Sequence, residues 1–499
     1  MKSKLRTYNF FFIDLFVPYC TKAVFCKKIL FLLITIFLVG CSPSGDGESS
    51  WPFTVDAGPD QEVDEHTKVT LSGDILRHAG SPMNSYAWVQ ISGPSVKLIR
   101  SNIYIVHFYA PEVSETTSLT FQFDAGNVNQ DSDYDYVTVT INHVDNTLSG
   151  RISFAPPLQI DLGRTPLSGA LADVDDNGII DLITLNQNDV SVLINNEDGT
   201  LNDPQFYTVG QNATDISTID VNKDGMVDIV TSDGGSLNIS ILLANGDGAF
   251  KDQLLQDVTM KTASLGVADF NGDEFPDMIL VKSGSSYSEN INIGIYIGQG
   301  DGSFVFLQNL SLGNIPKAIA VTDLNVDGIP DAVITDDFSL VDHLHVIQGM
   351  GDGTFAIRET YDVGASPFSV ATGDLNGDEI PDVVTANLDS DDISILLGNG
   401  DGSLKNQELN YSGGGPRSIS IADIDNDGAL DIVTANDFTR LIAIHLGVGD
   451  GTFNKAVYVV MQEKPFKVLI ADMNNDNYLD IVTINNASEN ISVLIQNTK

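Results

Sequence analysis

Over the C-terminal two-thirds of the chain, apolar and polar residues alternate in short runs, and the runs recur in groups of four. The first run of a group reads like Ser369-Val370-Ala371-Thr372 or Ser418-Ile419-Ser420-Ile421, and an acidic loop follows it. The second reads like Asp382-Val383-Val384-Thr385 or Asp431-Ile432-Val433-Thr434, and the third like Ile393-Ser394-Ile395-Leu396-Leu397. A turn of the form Gly-x-Gly-Asp-Gly usually comes next, as in Gly398 to Gly402 and Gly447 to Gly451, and a fourth run begins at the following Phe or Leu. Period-two alternation sends successive side chains to opposite faces, so each run predicts a β-strand.

Four short strands per unit of about fifty residues is the arithmetic of a β-propeller blade. Repetition also overrides the domain count that 499 residues alone would predict. A different rhythm occupies Phe53 to Val144, where turn residues separate Val69 to Ser72, Ser85 to Gln90, Val96 to Arg100, Tyr104 to Tyr109, Ser118 to Phe123 and Tyr136 to Val144. This pattern predicts a β-sandwich. The chain is therefore expected to be all-β, with a sandwich at 53–146 followed by a propeller at 150–499.

The acidic loops follow Asp-x-[Asp/Asn]-x-[Asp/Asn]-x-x-x-Asp, seven times, one in each repeat unit. Position 1 is Asp173, Asp220, Asp269, Asp323, Asp374, Asp423 or Asp472, and position 3 is Asp175, Asn222, Asn271, Asn325, Asn376, Asp425 or Asn474. Position 5 is Asn177, Asp224, Asp273, Asp327, Asp378, Asp427 or Asp476, and position 9 is Asp181, Asp228, Asp277, Asp331, Asp382, Asp431 or Asp480. A backbone carbonyl at position 7 (Ile179, Met226, Phe275, Ile329, Ile380, Ala429, Tyr478) completes an oxygen set for a hard cation of calcium size. Calcium accepts six to eight oxygens in flexible geometry, whereas magnesium demands a tight octahedron. Position 12 is Thr, Leu or Ile in every copy, so the bidentate Glu of a helix-flanked EF-hand is absent. Gly occupies position 6 in loops one, two, four and six, while Glu274 and Glu379 stand there in loops three and five. Those two loops are expected to turn least easily.

These repeats resemble the FG-GAP and VCBS families, whose calcium loops occur in integrin α propellers and in bacterial surface proteins. The resemblance covers residues from about 150 to the end and implies a seven-bladed propeller with up to one Ca²⁺ per blade. The seventh group stops at Ile491-Ser492-Val493-Leu494-Ile495 without a fourth strand, while residues 151–162 supply an extra one before the first loop. That segment is expected to complete the last blade, with Phe154 placed like the Phe after the other turns. Segments Ala57 to Val63, Val69 to Gly73, Ser85 to Pro94 and Tyr109 to Val113 of the sandwich resemble PKD-like, immunoglobulin-type modules, which implies that Trp88 is the core tryptophan.

Basic residues precede an apolar run from Ile29 to Val39, too short to cross a bilayer comfortably but suited to an export signal. Leu38-Val39-Gly40-Cys41 resembles the lipobox of bacterial lipoproteins, which implies a signal peptide at 1–40, lipidation of Cys41, a tether at 41–52 and, with Ser42 next, outer-membrane delivery. Cys20, Cys26 and Cys41 are the only cysteines, so no disulfide is expected to staple the mature fold. The formal net charge of −43 excludes a nucleic-acid partner, because phosphate recognition needs clustered positive charge. Of the carboxylates, 22 occupy loop positions 1, 3, 5 or 9.

No nucleophile, base and metal constellation of an enzyme is evident. His343 and His345 share one face of an expected strand and read as strand surface. Strand polarity places the acidic loops and the Gly-Asp-Gly turns at one end of the propeller and the variable loops at the other. Ser283 to Asn292 with Tyr287, Asp336 to Asp342 with Phe338, and Asn436 to Arg440 with Phe438 are the expected partner face. The expected function is a lipid-anchored, calcium-binding envelope protein that binds a protein or glycan ligand in adhesion. The alternatives are a polysaccharide-directed hydrolase or lyase on a propeller scaffold, and a structural envelope component.

Overall fold

The structure, a computed structural model, describes residues 53–497 apart from 78–82, 101–103, 129–131, 144–151, 283–291, 313–314 and 337–341. The expected signal peptide, Cys41 and the tether lie outside the described residues, as do Tyr287, Phe338 and most of their two loops. Among the described residues no helix is long and apolar enough to cross a membrane.

Residues 158–494 form seven four-stranded antiparallel sheets. In the first, Pro166–Ala172, Asp181–Asn186, Asp189–Leu193 and Gln205–Thr208 pair in sequence order, and the next five sheets repeat that order. The seventh has Lys467–Ala471, Asp480–Asn485 and Asn490–Leu494, and its fourth strand is Leu158–Asp161 from the start of the repeats. Phe154 forms a bridge with Gln496, as Phe250 does with Ala244 and Phe453 with Gly447. Of the segment expected over 151–162, Leu158–Asp161 and the Phe154 bridge are the parts that pair with the end of the repeats.

First strands are innermost. Each packs against the first strand of the next sheet, and Lys467–Ala471 packs in turn on Pro166–Ala172. Second strands such as Asp181–Asn186 and Asp431–Asn436 are buried along their whole length, whereas fourth strands such as Gln205–Thr208 are largely exposed. The core lies between neighbouring sheets: Ile183 and Val192 of the first meet Ile216 and Ile229 of the second, and Leu182 and Leu193 meet Val482 and Ile491 of the seventh. Burial of this apolar area is the main favourable term, at roughly 25 cal/mol per Å².

A fully buried second strand must satisfy its own polar side chains. Asn387 donates to Ser394 at 2.9 Å, and Asn485 to Ser492 at 2.7 Å. The fourth sheet replaces this pair with Asp336 and His345, whose Nε2 lies 2.6 Å from the carboxylate. His345 is therefore a buried partner of the strand network, not the strand surface its alternation predicts. Burial inverts the expectation because both faces of the sheet are covered.

The N-terminal sandwich pairs Met83–Ser92, Thr117–Asn127, Ser132–Asn142 and Gln61–Asp64 in one sheet and Lys68–Ser72, Ile105–Tyr109 and Ile99–Arg100 in another, with Phe53–Asp56 on Asp74–Arg77 beside them. Trp88 stacks on Phe123 at 4.9 Å between ring centroids and donates its indole N–H to the Tyr104 carbonyl. The strand expected over 96–100 shrinks to Ile99–Arg100, because the Val96 amide donates to the Gln90 side chain instead of a neighbouring strand. Thr117–Asn127 and Ser132–Asn142 extend beyond their apolar runs. Asp133 and Asp135 make that extension useful by accepting the amides of Val55 and Ala57.

The sandwich sits on the fifth and sixth sheets. Asp391, almost fully buried between strands two and three of the fifth, accepts from Tyr109 Oη at 2.9 Å and lies 2.8 Å from Lys68 Nζ. His66 packs its ring 5.0 Å from that of Tyr458, and Lys455 pairs with Asp64 at 2.7 Å.

Candidate metal centres

Each acidic loop joins the innermost strand to the buried second strand, so one end of every loop is fixed in the core. Within the loop, the side chains fold the backbone around themselves. The position 1 carboxylate accepts the amides of positions 5 and 6, as Asp220 does from Asp224 at 3.2 Å and Gly225 at 2.8 Å. Position 5 accepts the amide of position 7, as Asp224 does from Met226 at 3.0 Å. The same bonds recur in the other six loops.

Position 9 has a second task that spacing does not disclose. Asp181 is fully buried, accepts the Val174 amide at 3.0 Å through one oxygen and the Asn195 amide at 2.8 Å through the other. Its counterparts do likewise, Asp431 for Ile424 and Gly447, Asp480 for Met473 and Gln496. The residue thereby ties the loop to the end of the third strand. Burial pushes Asp228, Asp277, Asp331 and Asp480 up to about 6, and Asp431 up to about 7, with the charges of positions 1 and 3 or 5 adding to it. Asp181 and Asp382 move in the same direction for the same reason. A bound cation opposes that shift, since it stabilises the charged carboxylate.

The turn geometry corrects the expectation for loops three and five. Positive φ occurs at positions 4 and 6 of all seven loops. Loops one, two, four and six place Gly at position 6 and a side chain at position 4; loops three and five reverse the arrangement, with Gly272 and Gly377 at position 4 and Glu274 (φ 72°) and Glu379 (φ 64°) at position 6. Loop seven uses Asn475 and Asn477, a residue type that tolerates this region. The strain is shared differently, not concentrated in two sites. Val326 at position 4 of loop four also has positive φ. It is the costliest case because it is β-branched.

Two loops bring three carboxylates together: Asp173, Asp175 and Asp181, and Asp423, Asp425 and Asp431, with one oxygen of each within 4.8 Å of the others. The other five loops carry Asn at position 3. Asp175 Oδ1 and Asn474 Oδ1 are buried without a hydrogen-bond partner among the described residues, an arrangement that costs free energy unless a cation fills it. Every side-chain donor in the set is a hard oxygen, which suits Ca²⁺ and not a soft metal. The residues present therefore fit a calcium-sized ion.

Neighbouring sheets meet at these loops. In sheets two to six the Gly-Asp-Gly turn folds on its own aspartate, as Asp352 accepts the Thr354 amide at 3.0 Å. It also leans on the preceding acidic loop: Gly353 donates to Phe270 O at 3.1 Å, and Gly451 to Leu375 O at 3.1 Å. A Cβ on Gly248 (φ 76°) would stand 2.7 Å from Ile194 Cδ1 of the preceding sheet and touch Asp175, so glycine permits this approach. The expected sharing of one end by loops and turns corresponds to these contacts.

The FG-GAP-like repeat matches residues 173–231, 220–280, 269–334, 323–385, 374–434 and 423–483, each window running from one acidic loop past the next. A PKD domain family matches residues 57–141. None of the curated proteins matches the chain. Among solved structures, the chain is similar to a functionally unknown protein from Desulfotomaculum acetoxidans, with 13% identity, TM-score 0.45, and 60% of this chain and 92% of that one covered. A protein from Lactobacillus plantarum shows 10% identity, TM-score 0.45 and coverage of 70% and 94%. The PKD domain of the KIAA 1837 protein shows 23% identity, TM-score 0.16 and coverage of 20% and 95%. With matched repeats running from 173 to 483 and a PKD domain before them, the chain belongs to the FG-GAP-like repeat family.

Proposed function

We propose that this protein is a calcium-braced, seven-bladed propeller that acts as a binding or adhesion module of the bacterial envelope, lipid-anchored at Cys41 and delivered to the outer membrane. The observation that carries this reading is the sevenfold recurrence of one oxygen-lined loop at the junction between sheets. Positions 1, 3, 5 and 9 and the position 7 carbonyl would hold one Ca²⁺ per loop. Bound there, the ion supplies positive charge that offsets mutual repulsion among the loop carboxylates. Position 9 orients the loop through its two backbone amides, and position 1 sets the turn.

The fold then presents a rigid disc whose opposite end is free to vary. The sandwich, seated on the fifth and sixth sheets through Asp391, acts as a spacer between anchor and propeller. Export without disulfides fits this arrangement, since calcium replaces the covalent staple. Protease shaving of intact cells tests the display: propeller fragments released into the medium are expected, whereas release only after lysis would rule out adhesion to an external partner.

A further inference from the structure

The residue six positions before each loop's first aspartate lies at the other end of the innermost strand, and these seven residues surround a cavity of about 530 Å³. The innermost strand separates this cavity from the acidic loops by its full length. In the first three repeats the position holds Leu167, Thr214 and Ala263; in the next four it holds Lys317, Phe368, Arg417 and Phe466. One strand position, repeated seven times, tolerates both sets, so the fold itself does not require the cationic and aromatic arc.

Arg417 lies between two rings, its guanidinium carbon 4.3 Å from the Phe368 centroid and 4.0 Å from that of Phe466. Lys317 Nζ sits 5.3 Å from Phe368, and Lys467, which also lines the cavity, donates to Ser168 at 2.7 Å. Stacking fixes the guanidinium plane in advance, and planar donors suit a carboxylate. Among the described residues Arg417 makes one hydrogen bond, to Asp437 at 3.4 Å, which leaves most of its five N–H groups for a ligand. The carboxylate in the lining is Asp215, already accepting from Ser264 at 2.6 Å and from the Leu265 amide. Lys317, Arg417 and Lys467 thus line the cavity with one carboxylate, Asp215, while Asp437 pairs with Arg417 from outside the lining, in a chain with 68 acidic and 25 basic residues.

We propose that this cavity binds a uronic-acid sugar, the carboxylate held by Arg417 and Lys317 and a sugar hydroxyl by Ser369 of the same wall, the neighbouring Ser418 and Ser420 hydroxyls being engaged with the Val468 backbone. The volume suits one or two sugar units. The acidity of the rest of the surface, screened beyond about 8 Å at physiological salt, favours a ligand with a single carboxylate over a polyanion. This inference rests on the reading of the propeller as a binding module and names its ligand class.

Calorimetric titration of the calcium-loaded protein with disaccharides ending in glucuronate or galacturonate, each against its neutral counterpart, tests it. The acidic sugars are expected to bind at least tenfold more tightly, and Arg417→Gln and Lys317→Gln each to lose most of that preference. Because Arg417 also packs between two rings, Lys317→Gln serves as the variant that leaves the stack in place. Equal binding of acidic and neutral sugars would overturn the proposal, as would a preference that survives both substitutions, or binding of an acidic peptide where no uronate binds. Thermal unfolding with and without calcium on the same samples separates the two ideas. A missing calcium shift with uronate binding intact sinks the calcium brace alone, and the reverse outcome sinks the sugar site alone.

Discussion

Two aspartates of loop one, Asp175 and Asp181, separate calcium binding from loop architecture. Asp181 is fully buried and each of its oxygens accepts one backbone amide, from Val174 at 3.0 Å and Asn195 at 2.8 Å. Asp181→Ala leaves two buried N–H groups without acceptors, at about 1–3 kcal/mol each, so a loss of about 2–6 kcal/mol is expected even in EDTA. Asp175 is different. Its Oδ1 is buried and unpartnered, and its charge adds to the repulsion on Asp181. Asp175→Ala therefore removes no intramolecular bond and is expected to leave stability in EDTA unchanged or to raise it by about 1 kcal/mol, since the unpartnered oxygen goes. At free calcium ten times the dissociation constant, an occupied site contributes about 1.4 kcal/mol, and Asp175→Ala should forfeit most of it. Urea unfolding followed by circular dichroism, in EDTA and in calcium, gives both numbers for both variants. If Asp175→Ala unfolds as early as Asp181→Ala in EDTA, or shows the full calcium gain of the unaltered protein, the division of labour is wrong.

Val326→Asn is expected to stabilise the protein by about 1 kcal/mol, because it relieves a β-branched residue held at positive φ; an unchanged denaturation midpoint would contradict this. Loop six, with Asp at positions 1, 3, 5 and 9, should fill first in a calcium titration, and Asp425→Asn should shift the tightest binding step to weaker affinity without altering the later ones. His445 is completely buried and its pKa is pushed down to about 4 from 6.5 by desolvation. Between those values the unfolded chain binds the extra proton, so stability falls as pH drops, by about 2 kcal/mol from pH 7.5 to 5. His445→Gln should remove that part of the acid sensitivity when the two proteins are unfolded side by side in EDTA. An identical pH profile would show that the buried ring is not responsible.

The acidic clusters were legible because they are local: Asp173, Asp175 and Asp181, whose oxygens the structure brings within 4.8 Å of one another, lie within nine consecutive positions, and their spacing repeats. Strand identity was legible for the same reason, including the use of Leu158–Asp161 as the outer strand of the seventh sheet. The turn requirement was only half visible. Glycine at position 6 attracts notice, whereas the exchange between Gly272 and Glu274 emerges once both φ angles are known. Position 9 reads as a ligand, and nothing in its spacing reveals that Asp431 also holds the Ile424 and Gly447 amides. Contacts between distant segments were not legible at all. Lys317, Phe368, Arg417 and Phe466 each stand one repeat apart in the chain and meet around the innermost strands. Tyr109 and Asp391 are 282 positions apart, and no pattern along the chain joins them.

The central claim is that the acidic loops are calcium sites. Equilibrium dialysis of the purified protein against graded free calcium, with metal and protein measured in the same sample, counts the bound ions directly. The account predicts saturable binding that rises toward seven ions per chain and falls by one in Asp175→Ala. Saturation below two ions per chain, or a count unchanged by that substitution, would contradict it.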